Sequence, residues 1–165
     1  MPPSKAHTIL IIEDDVGHAR LIQKMMVRSS IAHPLVILMD GQDAVDYLLK
    51  QEAYADAQHE LPLLVLLDMQ LPGLDGFQVL RRLKADKHTK DVPILMMSST
   101  ESVQEMEPCA ALGCAVQLVK PIEPAAFFEA VHHLGVDVAV DTVSGKAECE
   151  KARSTKRSLR VKTSW

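Results

Sequence analysis

Five runs of five residues, almost wholly apolar and each closed by a polar or charged residue, limit what this chain can fold into. They are Thr8–Ile12 before Glu13-Asp14, Leu35–Met39 before Asp40-Gly41, Leu63–Leu67 before Asp68, Pro93–Met97 before Ser98, and Ala115–Val119 before Lys120-Pro121. They are too short for helices and show no strict alternation, so they read as strands buried on both faces. Amphipathic stretches separate them. Val16 to Ser29 carries Leu21, Ile22, Met25 and Met26 at helical spacing, Asp43 to Lys50 turns Ala44, Val45, Leu48 and Leu49 inward, and Gly76 to Ala85 presents Val79, Leu80 and Leu83. Glu101 to Leu112 and Pro124 to Leu134, the latter with Phe127, Phe128 and Val131, complete the series. Strand alternating with helix is the pattern of a parallel sheet covered on both faces.

In such a sheet, ligands bind outside the carboxyl ends of the strands. Glu13, Asp14, Asp68, Ser98 and Lys120 would therefore meet at one rim. Carboxylates about 4 Å apart repel by roughly 4 kcal/mol per pair at an effective dielectric near 20, so three of them stay ionised together only around a cation. Hard oxygen donors without thiolate or imidazole favour Mg²⁺, which keeps several waters and reaches phosphate oxygens. Lys120 adds a compact positive charge and Ser98 a hydroxyl that can donate to a phosphoryl oxygen. Asp68 is the natural nucleophile, because an aspartate can form an acyl phosphate. Asp15 suits the N-cap of the following helix better than a metal.

These residues resemble the receiver domain of two-component response regulators. The matching pieces are Ile11-Ile12-Glu13-Asp14-Asp15, Leu67-Asp68-Met69-Gln70-Leu71-Pro72-Gly73-Leu74-Asp75-Gly76, Val92-Pro93-Ile94-Leu95-Met96-Met97-Ser98-Ser99 and Val119-Lys120-Pro121, in the family's order and spacing over roughly residues 7 to 135. The resemblance implies a doubly wound (βα)5 flavodoxin-like fold with a five-stranded parallel sheet and helices on both faces. It implies Asp68 as phospho-acceptor, Glu13, Asp14, Asp68 and the Met69 backbone oxygen as Mg²⁺ ligands, Ser98 as switch hydroxyl and Lys120 as the conserved-role lysine. It also implies a cis bond at Lys120-Pro121. One position departs: Gln117 stands where the family often has an aromatic residue that swings inward, which puts activation by that swing in doubt without touching phosphoryl acceptance.

The charge is uneven. Seven basic residues from Gly145 onward against Glu148 and Glu150 give the tail +5, so the net −4 leaves −9 on the remainder. We therefore expect an N-terminal arm over 1–6, a receiver domain over 7–135 and a basic, flexible C-terminal extension over 136–165. In that extension Val136, Val138, Val140 and Val143 alternate as a short edge strand would, and it is too short for a folded output domain. Gln51 to Leu61 reads as a long polar loop, and Pro108 should kink the helix over Glu101–Leu112. Three cysteines without metal spacing (Cys109, Cys114, Cys149), no apolar leader and no span of eighteen apolar residues read as a cytoplasmic protein with reduced thiols. The seven histidines show no ligand-like arrangement.

The expected function is that of a stand-alone regulator rather than an enzyme. It would take a phosphoryl group from a sensor histidine kinase and signal through a downstream protein target. The segment Gln51-Glu52-Ala53-Tyr54-Ala55-Asp56 and the early acidic motif resemble single-domain regulators paired with bacterial phytochrome kinases. That group implies homodimerisation through Phe127, Phe128, His132 and Leu134. A dehalogenase-type phosphatase would need an acid two residues past its nucleophile, where this chain has Gln70. A degenerate receiver whose basic tail binds nucleic acid is the other alternative, opposed by the lack of aromatic interleaving or a helix-turn-helix pattern.

Overall fold

The computed structural model describes residues 7–99 and 116–141, and the backbone of 162–163. The strands form where the apolar runs are: β1 Ile9–Ile12, β2 Leu35–Leu38, β3 Leu64–Asp68, β4 Ile94–Ser98 and β5 Gln117–Val119. All pair in parallel, in the order β5-β4-β3-β1-β2, with a two-residue strand β6 (Lys162–Thr163) added in parallel beside β2. The expected five-stranded sheet is thus present, with one short edge strand contributed by the extension. The chain reverses its direction of winding between β1 and β3, and an open α/β sheet binds its ligand at that point.

The helices are α1 Val16–Arg28, α2 Gly41–Leu49, α3 Gly76–Ala85 and α4 Pro124–His133. Because strand side chains alternate between faces, β1 divides its residues: Leu10 and Ile12 pack with α2 and α3, Ile9 and Ile11 with α1 and α4. Every residue of β1 to β4 is buried, which is why these strands lack a polar alternation. The helix expected over Glu101–Leu112, with its Pro108, lies outside the described residues, as do the three cysteines.

Several local expectations are corrected. Asp40-Gly41, a dipeptide whose composition signals a turn, instead opens a helix: Asp40 is the N-cap of α2, accepting from the Asp43 backbone N–H at 3.0 Å, and Gly41 is its first residue. Leu21, expected inward, is 55% exposed, and Ala19 takes its place in the core of α1. The loop after α2 has more order than its polarity suggested. It holds a 3₁₀ turn over Glu52–Tyr54, and the His59 ring stacks on Tyr47 with centroids 3.9 Å apart. The start of the extension returns to the domain, with Val140 bridging Ile31 in antiparallel fashion. There the Ala139 N–H donates to Nε2 of the buried His33 at 2.9 Å. No helix among the described residues is long and apolar enough to cross a membrane.

Candidate functional site

The carboxyl ends of β1, β3, β4 and β5 deliver the acidic and basic residues to one rim. Glu13 follows β1 directly, its backbone N–H continuing the ladder to Leu38 O at 3.0 Å. Its carboxylate is fully buried and accepts the Asp15 backbone N–H at 3.1 Å. Asp15 itself caps α1, accepting the His18 backbone N–H at 2.9 Å, as its position predicted. Asp14 is exposed between them. Asp68 ends β3, is 3% exposed, and accepts the Gln70 backbone N–H at 3.1 Å. Glu13, Asp14 and Asp68 each offer an oxygen within 4.8 Å of the others.

Gly76 makes the approach to Asp68 possible. A Cβ there would stand 2.3 Å from the Asp68 backbone oxygen and 2.7 Å from Met69 Cα. Only a residue without a side chain lets α3 start so close to the strand end. The start is then fixed by a capping box between Asp75 and Gln78, at 2.9 Å in each direction. The Gly76 N–H donates to the Met69 backbone oxygen at 3.2 Å. That oxygen, expected as a cation ligand, keeps a second lone pair for such a role.

Lys120 enters from the opposite side. Its backbone N–H donates to Ser98 O at 2.7 Å, which ties the end of β5 to β4. The Lys120-Pro121 bond is cis, as expected. The ammonium lies 2.5 Å from Glu13 Oε2 and 3.1 Å from Asp68 Oδ2, with only 10% of the side chain exposed. Burial opposes the charge on Lys120, but the hydrogen bond to Glu13 and the charges of Glu13 and Asp68 outweigh it and hold the pKa above that of a free lysine. Burial acts first on Glu13 too and pushes its carboxyl up. The Lys120 hydrogen bond and the Asp15 N–H pull it partly back, and the Asp68 charge adds to the rise.

This arrangement answers whether a divalent cation fits. The oxygens are hard donors, close enough for one ion, and one of them belongs to a carboxylate whose burial raises its pKa more than Lys120 lowers it. Ser98 is 3% exposed at the end of β4. The structure therefore brings Glu13, Asp14, Asp68, Met69, Ser98 and Lys120 to one rim. Gln117 begins β5 opposite Met96, and its amide oxygen is buried without a hydrogen-bond partner among the described residues.

Sequence reasoning passed over His18. In the first turn of α1 its Nδ1 lies 3.4 Å from Lys120 Nζ and 3.8 Å from Glu13 Oε1. It forms one end of a mainly apolar cleft of about 300 Å³, with Leu21, Ile22, Lys120, Pro121 and Ile122 along its walls. The available signal was its place three residues past the N-cap, on the turn that overhangs the strand ends.

The comparisons with known proteins agree with this geometry. The family model for the response regulator receiver domain matches residues 9–132. Response regulator Rcp1 of Synechocystis sp. is 34% identical over 98 residues, which span 59% of this chain and 65% of Rcp1. The Mn²⁺-bound form of Rcp1 superposes with a TM-score of 0.66 at 27% identity, covering 85% of this chain and 99% of that one. The bacteriophytochrome response regulator AtBRR gives a TM-score of 0.77 at 32% identity, over 84% of this chain and 99% of its own. The phosphorylated cyanobacterial phytochrome response regulator RcpA gives 0.65 at 30% identity, over 78% and 90%.

Proposed function

The chain belongs to the response regulator receiver domain family, and from that membership we propose that it is a stand-alone regulator that accepts a phosphoryl group on Asp68 from a sensor histidine kinase. The observation that carries the reading is the buried Asp68 carboxylate, held at a strand end between a lysine and two further acids. An Asp68 oxygen would attack the phosphorus of a phosphohistidine in line. A P–O bond forms, the P–N bond breaks, and its electron pair returns to the imidazole. Glu13, Asp14, Asp68 and the Met69 backbone oxygen would hold Mg²⁺, which supplies charge neutralisation for the transferring phosphoryl oxygens. Lys120 would turn from Glu13 toward the new phosphoryl oxygens, and Ser98 would donate its hydroxyl to one of them.

The same reading covers the remaining assignments. The domain over 7–135 performs the chemistry, and the extension over 136–165 is accessory. The protein works in the cytoplasm, is no enzyme toward other substrates, and signals through a downstream protein, with the α4 face around Phe128, His132 and Leu134 as its homodimer surface; Phe127, expected there too, is fully buried against the sheet and drops out. The likeness to AtBRR and RcpA favours a bacterial phytochrome as the kinase. The test is labelling by a small phosphodonor with and without Mg²⁺, in wild type and Asp68→Asn. Mg²⁺-dependent, acid-stable and alkali-labile label, absent from the mutant, supports the reading. Equal label in Asp68→Asn defeats it.

A further inference from the structure

An ammonium has three N–H donors, and at Lys120 three acceptors surround it: Glu13 Oε2 at 2.5 Å, Asp68 Oδ2 at 3.1 Å and His18 Nδ1 at 3.4 Å. The third contact joins residues 102 positions apart. It is long for a hydrogen bond, and it can be one only when the imidazole is neutral with its proton on Nε2. The backbone under His18 is fixed, because its N–H is the one that caps α1 on Asp15 at 2.9 Å. Residue 17 is glycine, and a Cβ there would come within 3.1 Å of the capping Asp15 oxygen. The ring is thus set at the mouth of the site, its side chain 46% exposed above a fully buried Glu13.

The three acceptors respond differently to a cation. A divalent ion taking Glu13 and Asp68 competes with the ammonium for the same oxygens and repels it. An imidazole that offers Nδ1 as an acceptor carries no charge and is none of the oxygens the ion takes, so its contact with Lys120 survives. Resting on the phospho-acceptor reading above, we propose that His18 is a positioning residue: it keeps the Lys120 ammonium beside Asp68 once a divalent cation has taken Glu13. Its contribution therefore emerges only in the cation-loaded protein. Without the ion, two carboxylates hold Lys120 in any case.

The test uses full-length wild type, His18→Leu and His18→Asn, the amide oxygen of asparagine standing close to where Nδ1 was. A small phosphoramidate serves as donor, so that kinase docking plays no part. At saturating Mg²⁺ the initial labelling rate should fall about fivefold in His18→Leu, the middle of the range for one lost hydrogen bond, and recover in His18→Asn. The Mg²⁺ dissociation constant, read by calorimetry without donor, should stay within about twofold in all three. Unchanged labelling in His18→Leu overturns the proposal. So does weakened Mg²⁺ binding in both variants, which would make His18 a structural or ligating residue. Hydrogen exchange of the Lys120 ammonium, read by NMR, decides the matter even if wild type takes no label, an outcome that would instead sink the acceptor reading. In Mg²⁺-loaded protein the exchange should be slow in wild type and His18→Asn and fast in His18→Leu. Equal exchange in all three overturns the proposal.

Discussion

Lys120→Met puts the electrostatics of the site to a quantitative test. In the cation-free protein the Lys120 ammonium is the counter-charge to Glu13 and Asp68, both buried. Methionine retains most of the side-chain volume and removes the charge, which leaves two buried carboxylates facing each other. Breaking a buried pair by removing one partner costs about 3–5 kcal/mol. Asp14, exposed at the same rim, keeps water within reach, so the lower figure applies. For a chain of this size about 3 kcal/mol lowers Tm by about 6–12 °C. The pH dependence carries its own sign. The Glu13 pKa is raised in the folded protein, so the protonated form is favoured by folding. That relief is complete below the ordinary value near 4.5 and is lost as pH rises through the folded value. The deficit of Lys120→Met should therefore be largest near neutral pH, shrink toward pH 4.5, and shrink also on adding Mg²⁺, which would supply the missing counter-charge and so stabilise the variant more than wild type. Thermal unfolding by circular dichroism at several pH values, with and without Mg²⁺, reads all of this. A variant as stable as wild type at neutral pH without Mg²⁺, or a deficit insensitive to both acid and Mg²⁺, would refute the reasoning.

Three further outcomes follow from the same geometry. Gly76→Ala should destabilise by about 1–3 kcal/mol, because the new methyl meets the Asp68 and Met69 backbone and cannot be accommodated by a rotamer change; urea unfolding measures the loss, and an unchanged midpoint contradicts it. Mg²⁺ affinity should weaken on acidification from a pH above 4.5, since Glu13 takes up its proton more readily than a free glutamate and a proton displaces the ion; calorimetric titration between pH 7.5 and 5 checks this, and flat affinity tells against Glu13 as a ligand. Phe127→Ala, at a fully buried ring between α4 and the sheet, should cost about 3–5 kcal/mol while leaving Mg²⁺ affinity of the still-folded protein unaltered.

The strands and the rim were legible in the chain because two physical signals coincide there. A buried parallel strand needs an unbroken apolar run, and the residue that ends it stands at the ligand-binding edge, so Glu13, Asp68, Ser98 and Lys120 could be placed from sequence alone. Asp15 was legible as a cap for a similar local reason. What escaped was whatever depends on contacts distant in sequence. Asp40-Gly41 looks like a turn, yet it caps and starts α2, where a Cβ on Gly41 would stand 2.3 Å from Leu74 O. Leu21 fits the helical period but falls on the edge that overlooks the cleft beside Lys120. His18 reads in sequence only as a residue of the first turn of α1; its contact with Lys120 spans 102 residues. The stacking of His59 on Tyr47 likewise orders a loop whose composition reads only as polar.

The central claim, that Asp68 carries the phosphoryl group, is tested most directly by trapping the acyl phosphate. Borohydride reduces an aspartyl phosphate to homoserine, and peptide mass spectrometry then locates the reduced residue. After treatment with a phosphodonor and Mg²⁺, homoserine should appear at position 68 and nowhere else, and should be absent when Mg²⁺ is withheld. Homoserine at Asp14 or another acid, or none in protein that has taken up label, would contradict the account.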